Sequence, residues 1–190
     1  MDRSWLRSTK SLEFRDPKPF LINLRNLEYA VAATDTPAKI KNLRTNGLKE
    51  WREARDAALF CYGMSHRIGQ TVYFARSESQ DYDFIASWIV GSNQHLAPVQ
   101  LKEVVPPHLN PAASLESVLA SLSKYVDSSQ LTVAINLNQN GPFKPSALVA
   151  PQVNIAALWV FGAVKPDQSE WALFGNFLEQ PDGTTFKYPA

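Results

Sequence analysis

Apolar residues recur at intervals of three and four through "GLKEWREARDAALFCYGMSHRIG" and change to alternation just beyond it. Within that stretch Leu48, Trp51, Ala54, Ala58 and Cys61 fall on one face of a helix bounded by Gly47 and Gly69, with good helix formers between. The period then drops to two. "QTVYFAR" (70–76), "DFIASWIV" (83–90) and "PVQLKEVV" (98–105) are rich in β-branched and aromatic residues and are separated by "SESQDY" and "GSNQHLA". This predicts three strands in an antiparallel meander. Helical spacing returns after "PPHLNP" in "SLESVLASLSKYVD", where Leu115, Val118, Leu119, Leu122 and Tyr125 share a face and Ser114 suits the N-cap. "LTVAINLN" (131–138) reads as a further core strand, and "AALWVFGAVKPDQSEWALFGNFL" as a terminal hairpin around "KPDQS". Upstream, Pro17, Pro19 and Pro37 break residues 1–45 into pieces, leaving one short helix near residues 22–33 in an irregular extension.

The resulting order is helix, three strands, helix, strand and hairpin. A strand–helix–strand crossover sets the second helix on one sheet face and leaves the first helix for the other face or an edge. The expected class is α/β, a mixed sheet flanked by helices. With 190 residues, 45% of them apolar, the chain can build one core and is short for two. It is therefore read as a single domain: an N-terminal helical extension (1–46), a core (47–138) and a C-terminal strand and hairpin extension (139–190).

Charge narrows the functions. Nineteen basic residues against 18 acidic ones leave a formal charge of +1, so no global field announces a nucleic-acid or membrane partner, and any basic surface is local. Lys39, Lys41, Arg44, Lys49, Arg52 and Arg55 form a basic stretch suited to a phosphate backbone, but the interspersed Glu50, Glu53 and Asp56 suit a solvated helix face equally well. Cys61 is the lone cysteine, which excludes an internal disulfide framework and a thiolate zinc site and points to a reducing compartment. Its place on an apolar helix face marks it as a packed thiol. His66, His95 and His108 lack metal-ligand spacing, and Trp159, Phe161, Trp171 and Phe174 suit a core better than a base-stacking platform. "MDRSWLRSTK" lacks the apolar run of a signal peptide, and nowhere do 18 apolar residues run together. A cytoplasmic protein with no membrane partner is the expectation.

Candidate chemistry sits in "APVQLKEVV" (97–105), where Gln100 and Lys102 are two residues apart and so point to the same face. Centring the preceding hairpin loop near Asn93 sets Asp83 opposite the end of the strand that carries Lys102, and antiparallel neighbours lie only about 5 Å apart. Asp83, Gln100 and Lys102 can therefore meet. Magnesium takes hard oxygen ligands and keeps several waters, so a carboxylate, an amide oxygen and a backbone carbonyl can hold it beside a phosphate. A neighbouring ammonium positions or deprotonates water and offsets transition-state charge. Two other readings stand: Gln100 and Lys102 on a solvated sheet face, and Asp83 as a turn residue, with Asp81 competing for the site.

With these residues the chain resembles the PD-(D/E)XK nuclease superfamily, the restriction-endonuclease-like fold. That core runs helix, three strands, helix, strand, with an Asp opening the second strand and an acid-x-Lys motif on the third. Asp83 in "YDF" and Gln100-Leu101-Lys102 in "QLK" occupy the matching positions, and the resemblance spans about residues 47–138. Tyr82 stands where Pro is usual. Gln100 stands where Asp or Glu is commoner, although some active members carry Gln; the lost negative charge implies weaker metal binding. The resemblance implies a metal-dependent deoxyribonuclease, an endonuclease or nickase, with Mg2+ or Mn2+ held by Asp83, Gln100 and the Leu101 backbone carbonyl, and Lys102 assisting. Many members add an acid from the first helix; Glu50 and Glu53 are the candidates and Glu53 is preferred, its other reading being a surface pair with Lys49. Lys124 and Tyr125 match a position where some relatives assist phosphate binding, and Arg52, Arg55 and Lys124 are the candidate DNA-contacting residues. Cutting both strands would call for a homodimer. The alternative is a nuclease-like fold that has lost hydrolysis and serves as a DNA-binding or protein-interaction module of a mobile-element or defence complex, which Gln100 favours. An unrelated α/β protein that keeps the meander for stability is a third reading.

Overall fold

The computed structural model describes residues 9–41, 45–77 and 81–190. Residues 1–8 of "MDRSWLRSTK", Arg44 of the basic stretch, and residues 78–80 of "SESQDY" lie outside the described residues. The elements are α1 (Pro17–Ala32), α2 (Ala38–Lys41), a 3-10 turn (Asn46–Leu48) that runs into α3 (Lys49–Ile68), β1 (Tyr73–Arg76), β2 (Phe84–Val90), β3 (Asn93–Val104), α4 (Leu115–Ser121) with a 3-10 continuation (Leu122–Lys124), β4 (Ser128–Leu137), β5 (Ile155–Ala163), β6 (Glu170–Gly175) and β7 (Asp182–Lys187).

All seven strands join one mixed sheet in chain order. β1 to β3 are antiparallel, β3, β4 and β5 are parallel, and β5 to β7 are antiparallel again. The parallel pairs need long crossovers, which α4 and the segment 138–154 supply. The sheet curls around α3. Phe60 of that helix meets Phe84 of β2 at 6.3 Å and Phe161 of β5 at 6.0 Å between ring centroids. Gly63 lies against Phe186 of β7 and Leu173 of β6, and the Cys61 thiol faces the Tyr73 carbonyl of β1 at 3.9 Å. Strands from both ends of the sheet thus touch one helix, whose small residues Ala54, Ala57, Ala58, Cys61 and Gly63 permit the close approach. The aromatic residues Trp159, Phe161 and Trp171 are buried in this core, as their pattern indicates, while Phe174 packs half-buried on the opposite face.

The opening of the curl is closed by α1. Phe20 sets its edge on Phe74 of β1 at 5.3 Å, and the Tyr188 hydroxyl just beyond β7 donates to the Leu21 carbonyl at 2.9 Å. This helix corrects the expectation of a short piece near residues 22–33. Asp16 is its N-cap, accepting from the Lys18 amide at 2.8 Å, and Pro17 is its first residue. Pro17 and Pro19 fall in the first turn, where amides lack intrahelical partners, so they start the helix rather than break it.

The other sheet face carries α4, whose Leu115, Val118 and Leu119, with Leu122, cover Val104, Leu131, Val133, Ile135, Leu158 and Val160. Ser114 caps it as expected: its hydroxyl accepts from the Ser117 amide at 3.1 Å while its own amide donates to the Ser117 hydroxyl at 3.2 Å. Two further expectations are corrected. β3 starts at Asn93 rather than near residue 98, because Gly91 adopts φ +60° and permits a two-residue turn with Val90 opposite Asn93. The terminal hairpin is three-stranded, since the short, polar β7 adds to β6 through a full antiparallel register.

Candidate functional site

The tight turn at Gly91 sets the register that builds the site. Phe84 pairs with Val99, so β3 runs on past the beginning of β2 and Asp83 lies level with Gln100, not with the far end of the strand. Asp83 continues the ladder with its side chain. Its amide donates to the Val99 carbonyl at 2.9 Å, and its Oδ2 accepts from the Leu101 amide at 2.6 Å. The same Oδ2 accepts from the Gln100 Nε2, which also donates to the Leu101 carbonyl at 3.3 Å. The Gln100 amide nitrogen therefore occupies a point on which two oxygens converge, one a carboxylate and one a main-chain carbonyl.

Strand alternation fixes which face this happens on. Ala97, Val99 and Leu101 pack with the α3 core and Val104 with the α4 core, so Gln100 and Lys102 belong to the α4 face. There the Lys102 ammonium lies 5.9 Å and the Lys124 ammonium 5.2 Å from the centre of the Tyr125 ring. Asp83, Gln100, Lys102, Lys124 and Tyr125 thus share a neighbourhood. Burial raises the Asp83 carboxyl above its ordinary range, with Glu53 adding to the rise; the Leu101 amide, Lys102 and Lys49 oppose it. Burial likewise raises the Tyr125 phenol, which Lys124 lowers and Asp83 raises.

The structure separates the rival acids. Glu53 pairs with Lys49 at 3.3 Å and its charge is felt at Asp83, whereas Glu50 pairs with Arg76 at 3.0 Å. Asp83 enters the hydrogen-bonded group, while Asp81 lies exposed on the wall of an adjoining cavity of about 640 Å3 that Gln100, Tyr82, Lys124, Tyr125 and Asp127 also line. Arg52 and Arg55 are not brought to Asp83. Arg52 pairs with Glu103 at 3.8 Å; Arg55 pairs with Glu28 at 3.3 Å and lies over Trp171 at 6.0 Å. Cys61 is a buried free thiol, His66 stacks on Phe186 and His95 on Trp88. Elsewhere on the α4 face a cavity of about 890 Å3 is walled mainly by apolar side chains such as Leu115, Leu119, Phe143 and Phe174.

Asp56 corrects the expectation of a solvated helix face, because it turns inward and joins a polar group beneath the helix. Under α3, Asp56 is 6% exposed and accepts from Asn136 Nδ2 at 3.1 Å, beside Glu103, which accepts from Asn138 Nδ2 at 2.7 Å. The Asn136 Oδ1 is buried with no hydrogen-bond partner. Burial, helped by Glu103, pushes the Asp56 carboxyl up to about 6, against the lowering effect of Arg55, Asn136 and Arg52. "INLN" carried the signal, because alternation puts Asn136 and Asn138 on the same face as the buried Ala134.

The donor set around Asp83 suits a hard divalent cation: a carboxylate, a main-chain carbonyl and, with its amide turned over, the Gln100 side-chain oxygen. Among the described residues no group of three or more His, Cys, Asp or Glu side chains is placed to hold a metal, so any ion here would rely on neutral oxygens and water. Among the described residues, too, no helix is long and apolar enough to cross a membrane. No protein-family model, no curated protein and no solved structure matches this chain.

Proposed function

We propose that the chain is a divalent-metal-dependent nuclease with a restriction-endonuclease-like core, cutting or nicking DNA. The observation that carries the reading is the position of the Gln100 amide nitrogen, at the meeting point of Asp83 Oδ2 and the Leu101 carbonyl and on the same sheet face as Lys102. A nitrogen donor satisfying two converging oxygens stands where a cation would. The order of α3, β1 to β3, α4 and β4, with β4 parallel to β3, supports the choice of core.

In this reading Asp83 and the Leu101 carbonyl hold Mg2+ or Mn2+, and Gln100 rotates its amide to present oxygen. When bound, the ion would polarise the phosphoryl group and make its coordinated water more acidic. Asp83 must be ionised to bind, which its burial and Glu53 oppose and which Lys102 and Lys49 favour. Lys102 donates to a phosphate oxygen as charge builds there, with the Tyr125 ring lying beside its ammonium. Glu53 acts through its charge at Asp83. A second reading draws on the same contact: Gln100 already satisfies both oxygens without a cation, which favours a module that binds DNA and does not hydrolyse it.

Supercoiled plasmid incubated with millimolar Mg2+ or Mn2+ tests the two. The nuclease reading expects metal-dependent nicking, a loss of roughly 100-fold or more in Lys102→Ala, and a lower metal requirement in Gln100→Glu. Equal nicking by the native protein and Lys102→Ala overturns it. Metal-independent DNA binding with no nicking in either ion supports the second reading.

A further inference from the structure

The cavity of about 640 Å3 that has Gln100 in its wall lies in the size range of small-molecule pockets, roughly 300–1,000 Å3. Its walls are unlike a phosphate channel. Among the described residues that line it, Asp81 and Asp127 bring two carboxylates against one ammonium, that of Lys124. Phosphate is better served at Lys102. Tyr82 and Tyr125 pack against the α4 core and also line the cavity, so each contributes apolar aromatic surface with a firm backing. Aromatic walls combined with a surplus of hydrogen-bond acceptors match a flat ring that carries amino donors.

We infer that this cavity is a nucleobase pocket, taking one unpaired base of the DNA strand whose phosphate lies at Lys102, with preference for a base bearing an exocyclic amino group. The choice of DNA rests on the nuclease reading. The base must be unpaired because a paired base is stacked between its neighbours and can neither enter a cavity nor offer its face to a tyrosine ring, so the substrate is single-stranded or has the nucleotide turned out of the duplex. Cytosine offers an amino donor to Asp81 or Asp127, whereas thymine turns carbonyl oxygens toward them. Like-signed partial charges then disfavour thymine. Binding a base in this pocket sets the neighbouring phosphate beside Gln100, the residue the two places share.

The test is binding of labelled oligo(dC), oligo(dT) and an abasic strand of equal length to the full chain, followed by fluorescence anisotropy in EDTA. Oligo(dC) should bind about tenfold tighter than the abasic strand, the scale of one base stacked on an aromatic side chain, and several-fold tighter than oligo(dT). Asp127→Asn should narrow the gap between dC and dT. Tyr82→Ala should bring dC toward the abasic strand; because Tyr82 also packs in the core, Ser129→Trp, which fills the cavity from an exposed strand position, must give the same loss with unchanged thermal unfolding. Equal binding of dC and abasic strands, or a dC preference that survives Ser129→Trp, overturns the pocket. Plasmid nicking that depends on Lys102, together with base-independent binding, would sink the pocket alone. Base-dependent binding without nicking in either metal would sink the nuclease reading alone.

Discussion

Replacing Asp56 by asparagine should stabilise the protein at neutral pH, although it removes a residue that α3 holds in a hydrogen bond. Asp56 is 6% exposed, and burial is the main reason its carboxyl is pushed from the ordinary 3.8 up to about 6. A folded value above the unfolded one means that the group's contribution is fully present below pH 3.8 and is lost as pH rises through about 6. About two pH units at ~1.4 kcal/mol each give a loss on the order of 3 kcal/mol, of which something over ~2 kcal/mol falls between roughly pH 4 and 7. Asparagine has no charge to bury. Its carbonyl would go on accepting from Asn136 Nδ2, and its new amide would reach the acceptor now left over, Asn136 Oδ1. Urea denaturation of both proteins across that pH range isolates the term, since other titrating groups are common to the two. The advantage of Asp56→Asn should widen by about 2 kcal/mol from acid to neutral pH. A constant difference, or one that shrinks as pH rises, would refute the account of Asp56 as a carboxylate ionised at a desolvation cost.

Gly63→Ala should lower stability even though alanine is the better helix former. The added Cβ would lie 2.7 Å from Phe186 Cε1 and 3.1 Å from its Cζ, and Phe186 is 4% exposed, so the ring has no solvent to move into. Overpacking of about 1–3 kcal/mol outweighs the ~1 kcal/mol gained from helix propensity; thermal unfolding should shift down by a few degrees, and an upward shift would contradict the packing of α3 on β7. Glu53→Gln removes a charge that raises the Asp83 carboxyl. The acid limb of the nicking pH profile should move to lower pH, and an unmoved limb would disconnect Glu53 from the site.

Much of the architecture was legible because burial leaves a periodic trace. α3 and α4 were readable from apolar residues at steps of three and four, and β2 and β4 from dense β-branched runs that fill two covered faces. α1 is marked by Asp16 followed by Pro17, a helix start, but proline breaks a helix interior as readily as it opens a first turn, and only its place in the helix decides between the two. β7 left little trace, since only Phe186 among its six residues is buried and its pairing with β6 is a main-chain matter.

The site divides along the same line. That Gln100 and Lys102 point the same way, and that Glu53 rides one turn after Lys49, follows from strand alternation and helical repeat, which are properties of local backbone geometry and need nothing beyond the order of residues. The level at which Asp83 meets β3 does not, because it depends on a two-residue turn at Gly91 and on β2 beginning only at Phe84, so that Asp83 completes the ladder with its own carboxylate. Nor does the company of Asp56, Glu103, Asn136 and Asn138, which come from one helix, two strands and the residue just past β4, and meet only once the sheet curls around α3. Contacts between distant segments are chosen by packing, where one residue of register moves every partner, and a periodicity read along the chain carries no record of that choice.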